Sequence, residues 1–352
     1  MNLWQTHGRR RAAALAARAS LAAVALGWPC AAAHARQQQA GLDSSQAYRI
    51  LAQRRMELSN RAVAETQRRR FEDGKSNTQF PSDAERKAAA KPGVLRAASP
   101  EEQKALGHNQ KGLAHFDKQK FAQAVAEYEE AIRAFPDLAA AHNNLGSALF
   151  ALGRFEEAVG SFGRAVKLDA KYGQAHFNLA LAHLKAGREP EANAALMGAV
   201  RAFLETGDDR LREGQLAEAE AAYKELLRID PDYPPAHLRL GLLYNADRRF
   251  EAALEELRKV VRAQPSNADA HEGFAESYYG LGKYAEAVAA ADRAVALSPK
   301  GAGAYYLAGL AHAALGQREQ ALARHAKLNE LGAAEYARRL LEVVEKQPAD
   351  SK

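Results

Sequence analysis

Residues Ala141–Leu168 read AHNNLGSALFALGRFEEAVGSFGRAVKL, and residues His271–Leu297 read HEGFAESYYGLGKYAEAVAAADRAVAL. Each stretch passes from a helix with a small residue early in it, through a glycine turn, to an aromatic and then to a second helix built around alanine. The pattern continues outward from both. The small residue of the first helix falls at Gly112, Gly146, Ala180, Gly207, Gly241, Ala275 and Gly309. That of the second helix falls at Ala124, Ala158, Ala192, Ala219, Ala253, Ala287 and Ala321. In both columns the spacings are 34, 34, 27, 34, 34 and 34 residues. Because the columns slip together, the short interval is one real deletion. A fixed period of this size marks an architecture in which one supersecondary unit recurs.

Other positions keep the same beat. Gly153, Gly187, Gly214, Gly282 and Gly316 stand where a left-handed residue ends the first helix. Phe121, Phe155, Phe250 and Tyr284 open the apolar face of the second. Pro136, Pro231, Pro265 and Pro299 end second helices, because proline cannot continue them. The small columns let the two helices of a hairpin approach closely. Larger residues such as Leu145, Leu179, Leu240 and Phe274 fill the space between neighbours. On these residues the stretch from about residue 103 to 333 resembles the tetratricopeptide-repeat (TPR) family. The resemblance implies an all-α fold, a right-handed superhelical solenoid of antiparallel helix hairpins. About seven 34-residue repeats would be closed by a C-terminal cap helix.

Boundaries follow from local signals. Ser99-Pro100-Glu101-Glu102 is a capping box with proline at the first helical position. Residues 99–199 hold repeats 1–3 and residues 200–333 hold repeats 4–7. Between them, Asn193 to Leu211 carries no proline and no clean break, which predicts a long shared helix or an altered crossing angle. Residues 334–346 form the cap helix, with Tyr336, Leu340, Leu341 and Val344 on one side, and the chain beyond Gln347 frays.

The N-terminal hundred residues differ in kind. Residues 1–35 run from basic (Arg9, Arg10, Arg11) through apolar (Leu21 to Ala33) to Ala33-His34-Ala35, a small-x-small site. This is the order of an export signal cleaved after Ala35, and it predicts a periplasmic or secreted protein. Cys30, the only cysteine, offers a lipoprotein alternative, but Gly27-Trp28-Pro29 before it do not resemble a lipobox. Residues 36–72 read as a basic helical segment, with Arg49, Arg54, Arg55, Arg61, Arg68, Arg69 and Arg70. Residues 73–98, with Pro81 and Pro92, read as a flexible linker. Residues 101–352 carry 32 basic against 36 acidic side chains, so the array is mildly acidic and a nucleic-acid partner has little electrostatic support.

No phosphate-binding glycine loop, nucleophile elbow or His-Glu-x-x-His occurs, so no enzyme, cofactor or metal site is expected. His108, His142, His176, His237 and His271 share one column. Neighbouring repeats lie about 10 Å apart, too far for two imidazoles to share a zinc at about 2 Å each. A packing role is the expectation. In the family that this chain resembles, first helices line the concave groove. Here those positions include Asn109, Gln110, Phe116, Asn143, Asn144, Ser147, Phe150, Phe177, Asn178 and Arg239. A row of amides can bond the backbone of an extended peptide, and the phenylalanines can anchor it. Asn109, Gln174 and Asn178 stand where the family's carboxylate clamp needs cations, so capture of a C-terminal carboxylate is not expected. The reading is a non-catalytic scaffold or adaptor of the cell envelope, in an assembly such as a secretion, pilus or polysaccharide-export machine. It would hold a protein or peptide segment in the groove. The alternative is a membrane-surface tether, in which residues 45–70 touch anionic lipid or an acidic partner. The sequence does not fix the oligomeric state or the partner.

Overall fold

The computed structural model describes residues 99–346. The export signal, the basic segment, the linker and the last six residues lie outside the described residues. Fourteen helices occupy the described span, and no strand occurs in it. The described chain falls into two compact units, residues 99–202 and 203–346.

The first unit contains α1 (Pro100–Asp117), α2 (Phe121–Ala134), α3 (Ala139–Ala151), α4 (Phe155–Leu168) and α5 (Gly173–Lys185). The capping box is formed as the sequence indicates. The Glu102 N–H donates to Ser99 Oγ at 3.1 Å, and the Ser99 N–H donates to Glu102 Oε2 at 3.4 Å. Two otherwise orphaned donors of α1 are thereby satisfied, which stabilises its first turn by about 1 kcal/mol.

The expected turn appears after each first helix. Gly153 and Gly187 have φ of 75°, and the Arg154 N–H returns to the Leu149 carbonyl at 2.9 Å. After α1 the sequence offers no glycine, and Gln119 takes the left-handed conformation instead, with φ of 58°. That substitution costs on the order of 1 kcal/mol relative to glycine.

The small columns do what spacing implied. A methyl group on Gly112 would stand 2.4 Å from the Tyr128 ring, and one on Gly146 would stand 2.7 Å from the Phe162 ring. Tyr128 and Phe162 lie sixteen residues after their glycines, and both are almost wholly buried. Each ring occupies the space that the absent side chain leaves. Burying a side chain of this size contributes roughly 2–3 kcal/mol.

The helix α6 (Glu189–Arg212) runs for 24 residues without a break. Of the two expectations for the shortened third repeat, the long shared helix is the one realised: the second helix of repeat 3 continues as the first helix of repeat 4.

The second unit contains the end of α6, then α7 (Leu216–Ile229), α8 (Pro234–Ala246), α9 (Phe250–Ala263), α10 (Ala268–Gly280), α11 (Tyr284–Leu297), α12 (Ala302–Ala314), α13 (Arg318–Glu330) and α14 (Ala334–Glu345). Gly207 faces Tyr223 and Gly241 faces Leu257 in the same sixteen-residue relation. The last repeat departs from it. The space over Gly309 is filled by Leu340 of α14, whose Cδ2 would lie 2.3 Å from an added methyl. Leu340 and Val344 are wholly buried, so α14 covers the face that a further repeat would otherwise cover.

Candidate partner-binding faces

Within each unit the first helices of successive hairpins touch: α1 with α3, α3 with α5, α8 with α10, α10 with α12, and α12 with α14. They form the surface on which the sequence placed a binding groove. In the first unit Asn109, Asn143, Asn144, Asn178 and Phe177 are not displayed on it. All five are less than one-tenth exposed. The amides are joined in one directional chain. Gln174 Nε2 donates to Asn178 Oδ1 at 3.0 Å, and Asn178 Nδ2 donates to Asn143 Oδ1 at 3.0 Å. Asn143 Nδ2 then donates to Asn144 Oδ1 at 3.4 Å, and Asn144 Nδ2 to Asn109 Oδ1 at 2.9 Å. This corrects the expectation of an open amide row. A buried amide left unpaired costs about 1–3 kcal/mol, and here each acceptor oxygen is met by the next donor. The chain clamps α1, α3 and α5 together.

The pairing distance explains why spacing misled. The bonded partners across helices are 35 residues apart, not 34. The rungs are diagonals, reaching from one column into the next. Two consecutive asparagines in α3, Asn143 and Asn144, were the available signal: one reaches forward to α5 and the other back to α1.

The phenylalanines are likewise partly absorbed. Phe116 lies edge-on to Phe121 at 5.2 Å, and Phe150 to Phe155 at 5.2 Å, so each seals its own hairpin. Both remain half-buried, Gln110 is exposed, and Ser147 is half-buried with its hydroxyl donating to the Asn143 carbonyl at 3.1 Å. In the second unit Arg239 is held by Asp208 at 2.9 Å.

The histidine column has a packing role. In His142, His176, His237 and His271, Nε2 lies 2.8–3.1 Å from the carbonyl oxygen six residues earlier and donates to it. Tyr305 makes the same bond to Pro299 with its hydroxyl, at 3.2 Å. The ring satisfies a carbonyl in the link from the preceding second helix. Burial lowers the pKa of His142 below the ordinary range, in keeping with a neutral imidazole.

A feature that sequence reasoning missed lies on α10, α12 and α14. Asp269, Glu272 and Glu276 follow one another along a single face of α10, with Tyr279 one step further. Tyr306 of α12 stacks on Tyr336 of α14, with centroids 5.0 Å apart. Burial, then the charges of Asp269 and Glu276, push the Glu272 carboxyl up to about 7. Among the described residues no set of three His, Cys, Asp or Glu side chains is arranged to hold a metal ion.

Stacked hairpins with a shared first-helix surface define a helical-repeat protein, a class whose fold presents binding surfaces. The chain belongs to the tetratricopeptide-repeat family: tetratricopeptide-repeat models match residues 109–169, 150–203 and 273–337, and a further one matches 210–275. That membership supports a protein–protein interaction scaffold. A TPR repeat-containing thioredoxin of Arabidopsis thaliana is 35% identical over 90 residues, which are 26% of this chain. The chain spans only 13% of the length of that relative. Among solved structures, a tetratricopeptide repeat protein from Parabacteroides merdae is 21% identical, with a TM-score of 0.38. That match covers 69% of this chain and 100% of that one. MamA from Desulfovibrio magneticus is 18% identical, with a TM-score of 0.35, covering 56% of this chain and 96% of that one. YrrB, described as a TPR protein with an unusual peptide-binding site, is 19% identical, with a TM-score of 0.30, covering 50% and 95%.

Proposed function

We propose that the chain is a non-catalytic scaffold or adaptor of the cell envelope, which holds a segment of a partner polypeptide against the first-helix surface of its repeats. The observation that carries this reading is the buried amide chain under that surface. It joins three successive first helices and leaves Gln110, Phe116, Ser147 and Phe150 beside it with area to offer. A surface rigid before binding loses less entropy on binding. The envelope part of the proposal rests on residues 1–35, whose order of basic, apolar and small residues is that of an export signal. A secretion, pilus or polysaccharide-export assembly is the setting that such a protein would suit.

The test is site-specific photo-crosslinking in intact cells. A crosslinker at Gln110 or Ser147, on first helices, is compared with one at Gln123, exposed on α2. A discrete protein adduct from the first two positions alone is the expected result. Adducts from Gln123 alone would move the site to the second helices. Adducts from residues 45–70 alone, or lipid in their place, would favour the tether.

A further inference from the structure

The helices α10, α12 and α14 pack side by side in the second unit. Opposite Glu272 of α10, α12 carries Gly303. A methyl on Gly303 would lie 2.1 Å from Glu272 Oε1, so the carboxyl group occupies the place of the missing side chain. Among the described residues no hydrogen bond or ion pair reaches that carboxyl group. The charged groups that act on it most are Asp269 and Glu276, both negative. One turn along α12 from Gly303 stands Tyr306, half-buried and stacked on the half-buried Tyr336. The one arginine acting on both rings, Arg339, is bound to Glu335 at 2.7 Å. The surface therefore joins concentrated negative charge to aromatic rings, and its central carboxyl group has no counter-ion.

We propose that this surface receives an arginine side chain of an extended partner polypeptide, with Glu272 as its ionic partner and the Tyr306–Tyr336 pair as its aromatic wall. A guanidinium meets both demands at once. It forms charge-assisted hydrogen bonds to a carboxylate and lays its plane against an aromatic ring. Lysine offers the charge without the plane. The inference rests on the reading of the first-helix surface as the binding surface. It adds the chemistry of what the second unit takes.

The experiment uses the full chain, well above pH 7, where Glu272 is ionised. A labelled alternating Arg–Ala peptide, with Lys–Ala and Glu–Ala counterparts, is titrated and followed by fluorescence anisotropy. Glu272→Gln keeps the side-chain shape and removes the charge. Glu255→Gln, exposed on α9, removes the same charge elsewhere. The expected result is tighter binding of the arginine peptide than of the lysine peptide, weakened about tenfold by Glu272→Gln and not by Glu255→Gln. Tyr336→Leu should reduce the preference for arginine over lysine. Equal losses in both glutamine variants, or none in Glu272→Gln, would show diffuse attraction and overturn the proposal. If the Gln110 adduct persists while arginine-selective binding fails, only this inference falls. If the adduct is absent as well, the reading beneath it falls too.

Discussion

Replacing Gly146 by alanine should destabilise the first unit, although alanine is the better helix former. The structure supplies the magnitude. The added Cβ would lie 2.7 Å from Cδ1 and Cε1 of Phe162 and 3.0 Å from Cγ. Carbon atoms rest at about 3.5–4.0 Å, so three atoms overlap by roughly 0.5–1 Å. Phe162 is 2% exposed and packed among Ala124, Val125 and Leu149, so its ring cannot swing away. Overpacking of this kind costs about 1–3 kcal/mol. The helix gains back about 0.5–1 kcal/mol on losing a glycine. The net is a loss of up to about 2.5 kcal/mol, centred near 1 kcal/mol, or a fall of a few degrees in the unfolding midpoint at roughly 2–4 °C per kcal/mol. Gly160 is the matched control. It lies inside α4, where an added methyl would meet nothing within 4 Å, so Gly160→Ala should raise the midpoint by a degree or more. Thermal melts followed by helical circular dichroism compare the two, and Phe162→Leu in the Gly146→Ala background should recover part of the loss. If Gly146→Ala melts at or above the temperature of Gly160→Ala, the small column is not a packing requirement and the account of hairpin closure is wrong.

The Glu272 carboxyl holds its proton to about pH 7 in the fold, against the ordinary value of 4.5 unfolded. The folded state thus binds the proton more tightly. The contribution is fully present below pH 4.5 and is lost as pH rises through about 7, by an amount on the order of 3 kcal/mol. Urea midpoints at pH 5 and above 8 should fall in the native chain and change less in Glu272→Gln, and parallel slopes would refute this. Asn143→Ala breaks the middle of the amide chain and strands Asn178 Nδ2 and Asn144 Oδ1. It should cost about 1–3 kcal/mol in denaturant titrations, whereas Gln110→Ala on the exposed surface should cost under about 0.5. Mass spectrometry of the exported protein should find a chain that begins at Arg36; an uncleaved chain retained inside the cell would end the envelope proposal.

How much of this was legible beforehand depends on the range over which each feature acts. The 34-residue period, the glycine turns, the Ser99 capping box and the proline stops are written in contiguous residues. Each states its own backbone requirement: a left-handed φ, an orphan donor, a missing N–H. The 27-residue interval left a long shared helix and an altered crossing angle both open, and the structure shows the continuous helix α6. These local signals determined the fold, because each hairpin repeats the same solution. Only the tertiary structure decided which way the side chains of the first helices turn. Asn109 meets Asn144, and Asn143 meets Asn178, because packed neighbouring helices are offset and join one column to the next. A reading by columns alone therefore leaves the same amides facing solvent. The Glu272 carboxyl group fills the space over Gly303 in the following repeat, and Gly309 is filled from the cap helix rather than from its own hairpin. In each case the deciding partner lies about one repeat away, and the offset between neighbouring helices selects it.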